Sequence, residues 1–339
     1  MWKSLFIIVL LLISCVSQDI STPPCFPMEK ETHFKMVSDK DVIVPRPIAM
    51  CVDSSYIYVL SLMEQQWIHI YDRHKGTYIK SCIPHGNGPN EIIQGINLQL
   101  DEKNKTLSVY DHGKMACLTF KIEIVGGVPY LYLHNNVPLM MNGQVIRNVW
   151  HLATNEFLVD GQLGSSESPQ RFQKLYQGKL ISEYNIFPTT DETNILVYLK
   201  NHVSISPDSK KMAVGTVYGG GLEIFDIQGD IENTCTRRFY PPQYPSQENA
   251  KKGKFETPFC FTNITSTDKY IYGIWNGTLK TNSSCNLVLF DWNGNEIIKY
   301  ITDTLLIKAS IYGDKIYAIA FSEERDFHLV TFDISQWEK

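Results

Sequence analysis

The side chains in this chain best suited to hold an anion are Arg46, Arg147, His202 and Lys308, and the amides of Asn97 and Asn263 could complete a hydrogen-bonding set. Brought together, they would form a locally basic site for a carboxylate, sulfate or uronate group, because guanidinium and ammonium groups give charge-assisted hydrogen bonds to such oxygens. They lie far apart along the chain, so only a fold that returns repeatedly to one axis can assemble them. In a competing reading, the same residues bond water and neighbouring carbonyls in a wet channel.

Other chemistry is poorly represented. Apart from Cys15, the cysteines are Cys25, Cys51, Cys82, Cys117, Cys235, Cys260 and Cys285, an odd set with no C-x-x-C spacing. No metal site and no cofactor are expected, and the thiols read as small apolar residues inside strands. Asp291-Trp292-Asn293-Gly294-Asn295 offers oxygens, but its glycine is misplaced for a calcium loop and no glutamate closes it, so it reads as a turn. In Gly86-Asn87-Gly88-Pro89 the proline removes an amide donor and no helix follows, which favours a connecting loop over a phosphate cradle. Tyr218-Gly219-Gly220-Gly221 reads as a flexible hairpin. The chain has no G-x-S-x-G, H-E-x-x-H, P-loop or dinucleotide fingerprint. A net charge of −5 argues against a nucleic-acid partner, and Lys251-Lys252-Gly253-Lys254 sits in a polar, proline-bounded stretch that reads as a solvated loop.

The elements that must position these residues repeat. Ile68-His69-Ile70-Tyr71-Asp72 with Gly76, Leu222-Glu223-Ile224-Phe225-Asp226 with Gly229, and Leu287-Val288-Leu289-Phe290-Asp291 with Gly294 are each a strand running into an Asp/Gly turn, and Leu329-Val330-Thr331-Phe332-Asp333 repeats the strand. Asp accepts hydrogen bonds from turn amides, and Gly takes the positive φ of a tight turn. Upstream lie polar turns, each followed by a β-rich strand: Asp53-Ser54-Ser55, Asp101-Glu102-Lys103, Ala153-Thr154-Asn155, Pro207-Asp208-Ser209, Thr267-Asp268-Lys269 and Gly313-Asp314-Lys315. Six units of four short strands, without long helical periodicity, predict an all-β, six-bladed β-propeller. The last unit ends after three strands, so a strand within Thr32 to Val44 is expected to close the ring. The segment before each polar turn should be the innermost strand, which is how the six candidate residues reach the axis.

The N-terminus has the layout of an export signal, with Lys3, the apolar run Leu5 to Leu12, and Ser14 before Cys15. Leu12-Ile13-Ser14-Cys15 resembles the bacterial lipobox. That resemblance implies a signal peptide over 1–14, a lipidated Cys15 that holds the protein on a membrane surface, a tether over 15–31 and the propeller over 32–339. The lipobox, the strands Tyr56-Ile57-Tyr58-Val59 and Ile70-Tyr71-Asp72 with Gly76, and His85-Gly86-Asn87-Gly88-Pro89-Asn90-Glu91 together resemble the TolB-like and NHL-like six-bladed propeller lipoproteins of Bacteroides-type bacteria. Asn90 stands where that family has glycine, in a link between the first two blades. The resemblance implies a cell-envelope location, periplasmic or at the outer-membrane surface, and does not reach to an activity.

Three functions are compatible with this reading. The first is a monomeric binding module for a glycan, peptide or envelope protein, working through the propeller funnel. The second is a lyase or lactonase-like hydrolase with its residues in the central channel, and the third is a scaffold in an envelope complex. The acids concentrate in turns such as Asp72, Asp226 and Asp291, away from the expected axis, which favours binding over catalysis.

Overall fold

A computed structural model describes residues 21–37, 44–62, 65–139, 146–161, 171–188, 192–252, 254–280, 285–322 and 326–334. Cys15 and the 1–14 signal lie outside the described residues. Six antiparallel sheets, over 47–84, 95–138, 146–184, 201–238, 259–302 and 305–333, form blades one to six, and each sheet keeps its own strands in sequence order. The innermost strands are Pro47–Val52, Gly95–Asp101, Ile146–Ala153, Asn201–Ile205, Phe259–Ser266 and Leu305–Tyr312.

The second strand of blade one, Tyr56–Ser61, is buried at every position, because a blade is covered by a neighbour on both faces. Its side chains alternate accordingly. Tyr58 and Leu60 join an apolar layer with Leu107, Val109 and Leu118 of blade two. Ile57 and Val59 join another with Tyr317, Ile319 and Leu329 of blade six. Comparable layers fill the other junctions, so the core is a series of inter-blade layers and no blade is stable alone.

The turn chemistry is as expected at Asp72, whose Oδ1 accepts from the amides of His74 and Lys75 at 2.9 Å, and at Asp291, whose Oδ1 accepts from Asn293 and Asn295. Gly76 and Gly294 take positive φ there, while Gly229 does not. The 85–91 link is a connecting loop: the Gly88 amide donates to Glu91 Oε2 at 2.6 Å, and Lys114 Nζ donates to the Gly88 and Glu91 carbonyls at 2.7 Å. Asn90 is not in the left-handed region, so the loop does not use that tolerance.

Closure is by the N-terminus. Lys35–Met36 pairs antiparallel with Phe327–Asp333, and the amides of Val37 and Val44 donate to Leu329 and Phe327. The expected tether over 15–31 is corrected in its second half. The Thr22 amide donates to Arg238 O at 2.9 Å, Phe26 is buried against Phe290, and Glu29–Thr32 adds a fifth, parallel strand to blade five. From Thr22 onward this segment is a clasp over blades four, five and six, because Phe26 and the edge of blade five offer it burial and hydrogen bonds that a solvated linker would lack.

Two short helices interrupt the β pattern, Glu192–Leu199 and Gln247–Lys251. Neither is long enough to display a helical period. Val197 and Tyr198 of the first pack against Tyr218 and Phe259.

Candidate functional site

The innermost strands enclose a central cavity of about 870 Å³ that extends to the end of the ring carrying the hairpins between first and second strands, such as Asp101 to Asn104 and Pro207 to Ser209. Asn97, His202, Asn263 and Lys308 line it. Arg46 does not: it precedes the first inner strand at the opposite, linker end and is exposed. Arg147 sits behind the wall, with Nη2 2.7 Å from Asp160 Oδ2 and 3.3 Å from Asn201 Oδ1. The backbone amide and Nδ2 of Asn148 also donate to Asp160. Burial raises the Asp160 carboxyl, and the opposing pull of Arg147 and Asn148 keeps a carboxylate the better partner for the guanidinium.

The expected basic channel is therefore corrected to a smaller feature. Of the four cations, only His202 and Lys308 face the cavity, and the charge of Arg147 is already matched by Asp160. His202 is pushed down to about 3, chiefly by burial and further by the positive charges of Lys308 and Arg147, so it is a neutral imidazole near pH 7. Lys308 is also lowered by burial. Among the described residues no carboxylate or carbonyl accepts a hydrogen bond from its ammonium.

The amides hold blades together. Asn97 Nδ2 donates to Val149 O, and Asn263 Oδ1 accepts from the Ala309 amide at 3.0 Å. Gln99 clamps His151 through both its backbone groups at 2.7 Å, and Ser204 meets Ser266 at 2.8 Å. Each contact joins neighbouring inner strands, where a side-chain amide can supply both donor and acceptor to exposed backbone. Asn97 Oδ1 remains buried without a partner.

Sequence reasoning missed the two acids that decide which cations are available. Asp160 ends the buried run Phe157-Leu158-Val159, and Glu223 occupies a strand position filled by His69 and Val288 in the matching repeats. An acid in a strand covered on both faces signals a buried partner. For Glu223 that partner is Arg171, enclosed by the rings of Phe172, Tyr184, Phe187, Tyr198 and Phe225 at 5.2 to 5.9 Å. Among the described residues no three His, Cys, Asp or Glu side chains are grouped as metal ligands would be. No disulfide joins the seven described cysteines.

Comparison with known proteins agrees with the six-bladed fold. The family model for the TolB-like 6-blade propeller-like proteins matches residues 26–311, and the chain belongs to that family. No curated protein matches it in sequence. Among solved structures, a member of the DUF4221 family from Bacteroides vulgatus superposes with a TM-score of 0.55 at 10% identity, over 90% of this chain and 100% of that one. A candidate exported protein of Bacteroides fragilis superposes with a TM-score of 0.54 at 13% identity, over 90% and 98%. The calcium-binding protein regucalcin of Agrobacterium tumefaciens gives 0.53 at 10% identity, over 91% and 95%. At these identities the likeness is one of fold.

Proposed function

We propose that this TolB-like six-bladed propeller is a monomeric extracytoplasmic binding module, held on a membrane surface through a lipidated Cys15, whose central cavity receives the anionic group of a glycan, peptide or envelope-protein ligand. The observation that carries the reading is Lys308. Its ammonium is part-buried at the cavity wall with no carboxylate or carbonyl acceptor among the described residues, and a bound carboxylate or sulfate would give it a charge-assisted partner. His202 stands beside it as a neutral imidazole with hydrogen-bonding capacity but no repelling charge. The cavity of about 870 Å³ is large enough for a sugar or a peptide terminus. Export is supported by the 1–14 signal pattern and by the fold shared with a candidate exported protein of Bacteroides fragilis.

The test is calorimetry with galacturonate, a sulfated monosaccharide and a tripeptide bearing a free C-terminal carboxylate. Lys308→Met should weaken the ligand that binds by about ten- to a hundredfold, the usual worth of a charge-assisted hydrogen bond. Arg46→Ala should leave it within twofold. Equal binding to the wild type and Lys308→Met refutes the assignment.

A further inference from the structure

A second cavity, of about 380 Å³, lies at the linker end of the ring and has a different character. Its walls include Pro47, Leu305, Leu306, Ile307, Phe321 and Phe327, with Thr262 and Cys285 as neighbours. Lys308 lines this cavity as well as the central one, and it is the only described residue that lines both. The backbone explains how one side chain serves two spaces. The pairing of Leu305–Tyr312 with Lys315–Phe321 shifts register between Leu306 and Lys308, so Ile307 is an extra residue. A bulge of this kind re-aims the side chain that follows it. Lys308 is thereby turned to the axis while Leu305, Leu306 and Ile307 remain around the apolar space.

The surroundings of the apolar cavity set what it can accept. Phe321 and Phe327 stand with ring centroids 5.1 Å apart across the strand pair, and both are half-buried with free apolar surface. Such a space rejects a polyhydroxylated ring, whose hydroxyls would lose water without finding partners. It favours methylenes or an arene. An ammonium at its inner edge, with no described acceptor, asks for one negative charge at the end of that apolar group.

Building on the reading of Lys308 as an anion site, we infer that the ligand is a monocarboxylic acid with an aliphatic or aromatic tail, its carboxylate on Lys308 and its tail in the cavity between Leu305 and Phe327. Lys308 then reads the head group and the bulged strand reads the tail. The carboxylate oxygens then face the polar central cavity, and the single substituent on the carboxyl carbon occupies the apolar one.

The experiment is calorimetry on the folded full-length protein with acetate, butyrate, hexanoate and phenylacetate, which needs no variant for its main result. Each methylene buried contributes about a threefold to fourfold gain, so hexanoate should bind more than tenfold tighter than acetate, and phenylacetate should follow hexanoate. Leu305→Gln, at a part-exposed position, should reduce the ratio of hexanoate to acetate affinity severalfold. Lys308→Met should weaken every acid in the series by about ten- to a hundredfold. Lys308-dependent binding of galacturonate or acetate with no gain along the series overturns the tail assignment and leaves the anion site standing. Binding that is the same in Lys308→Met overturns both. A tail preference that survives Leu305→Gln undiminished, with the variant folded by circular dichroism, overturns the placement in this cavity.

Discussion

Protonation of His202 should cost the fold measurable stability. Its pKa is about 3 in the folded protein against 6.5 for the free side chain, because burial first, and then Lys308 on blade six and Arg147 on blade three, oppose a third positive charge. Asp160, which also faces this corner, is committed to Arg147 and cannot compensate. The folded value is the lower one, so the unfolded chain binds the extra proton between pH 6.5 and 3, and stability falls as the pH falls through that window. Above pH 6.5 the contribution is fully present. At about pH 5 the unfolded histidine is almost wholly protonated and the folded one almost wholly neutral. The difference is about 1.5 pH units at 1.36 kcal/mol each, or roughly 2 kcal/mol. Urea unfolding at pH 8 and at pH 5 should therefore show the wild type losing about 2 kcal/mol more than His202→Asn. His151, also lowered by burial, contributes equally to both proteins and cancels. If the two proteins lose the same stability, His202 is not held neutral by this environment.

Glu223→Ala leaves Arg171 charged among five aromatic rings, with both side chains 1% exposed in the parent, and should cost about 3–5 kcal/mol in urea unfolding. The double substitution Arg171→Met with Glu223→Leu should recover most of that loss. Gly220→Ala combines a left-handed φ of 63° with a new methyl 2.6 Å from Trp275 Cη2 and 2.8 Å from Cys260 Sγ, and should cost about 2–4 kcal/mol. Maleimide labelling of the native protein should reach exposed Cys25 first, while Cys51, Cys117, Cys260 and Cys285 react only on unfolding. Burial pushes Cys117 up to about 12 and Cys285 up to about 11, which withholds the reactive thiolate in addition to blocking access.

Most of the architecture was legible because it is written locally. The Asp/Gly turns after Ile70-Tyr71 and Leu289-Phe290 act within four or five residues, and the two-residue alternation in Tyr56–Ser61 assigns each side chain to a neighbouring blade without reference to the rest of the chain. Even ring closure could be read, since a blade with three strands leaves a bare edge on Phe327–Asp333, and Lys35–Met36 covers it. The clasp of Thr22 to Thr32 was not legible. Its prolines and polar residues have the composition of a linker, and only the side of blade five decides that Phe26 has a place to go.

The candidate site divides along the same line. Residue type and order along the chain determined that basic and amide side chains would stand on the innermost strands, and four of the six do line the cavity. Tertiary structure decided which of them keeps an uncommitted charge. Asp160 neutralises Arg147 from the adjacent strand, burial and then the charges of Lys308 and Arg147 lower His202, and Asn97 and Asn263 are spent on the backbone of the next blade. Desolvation and Coulomb energy depend on distances of a few ångströms between residues tens of positions apart, and no local pattern in the chain encodes those distances.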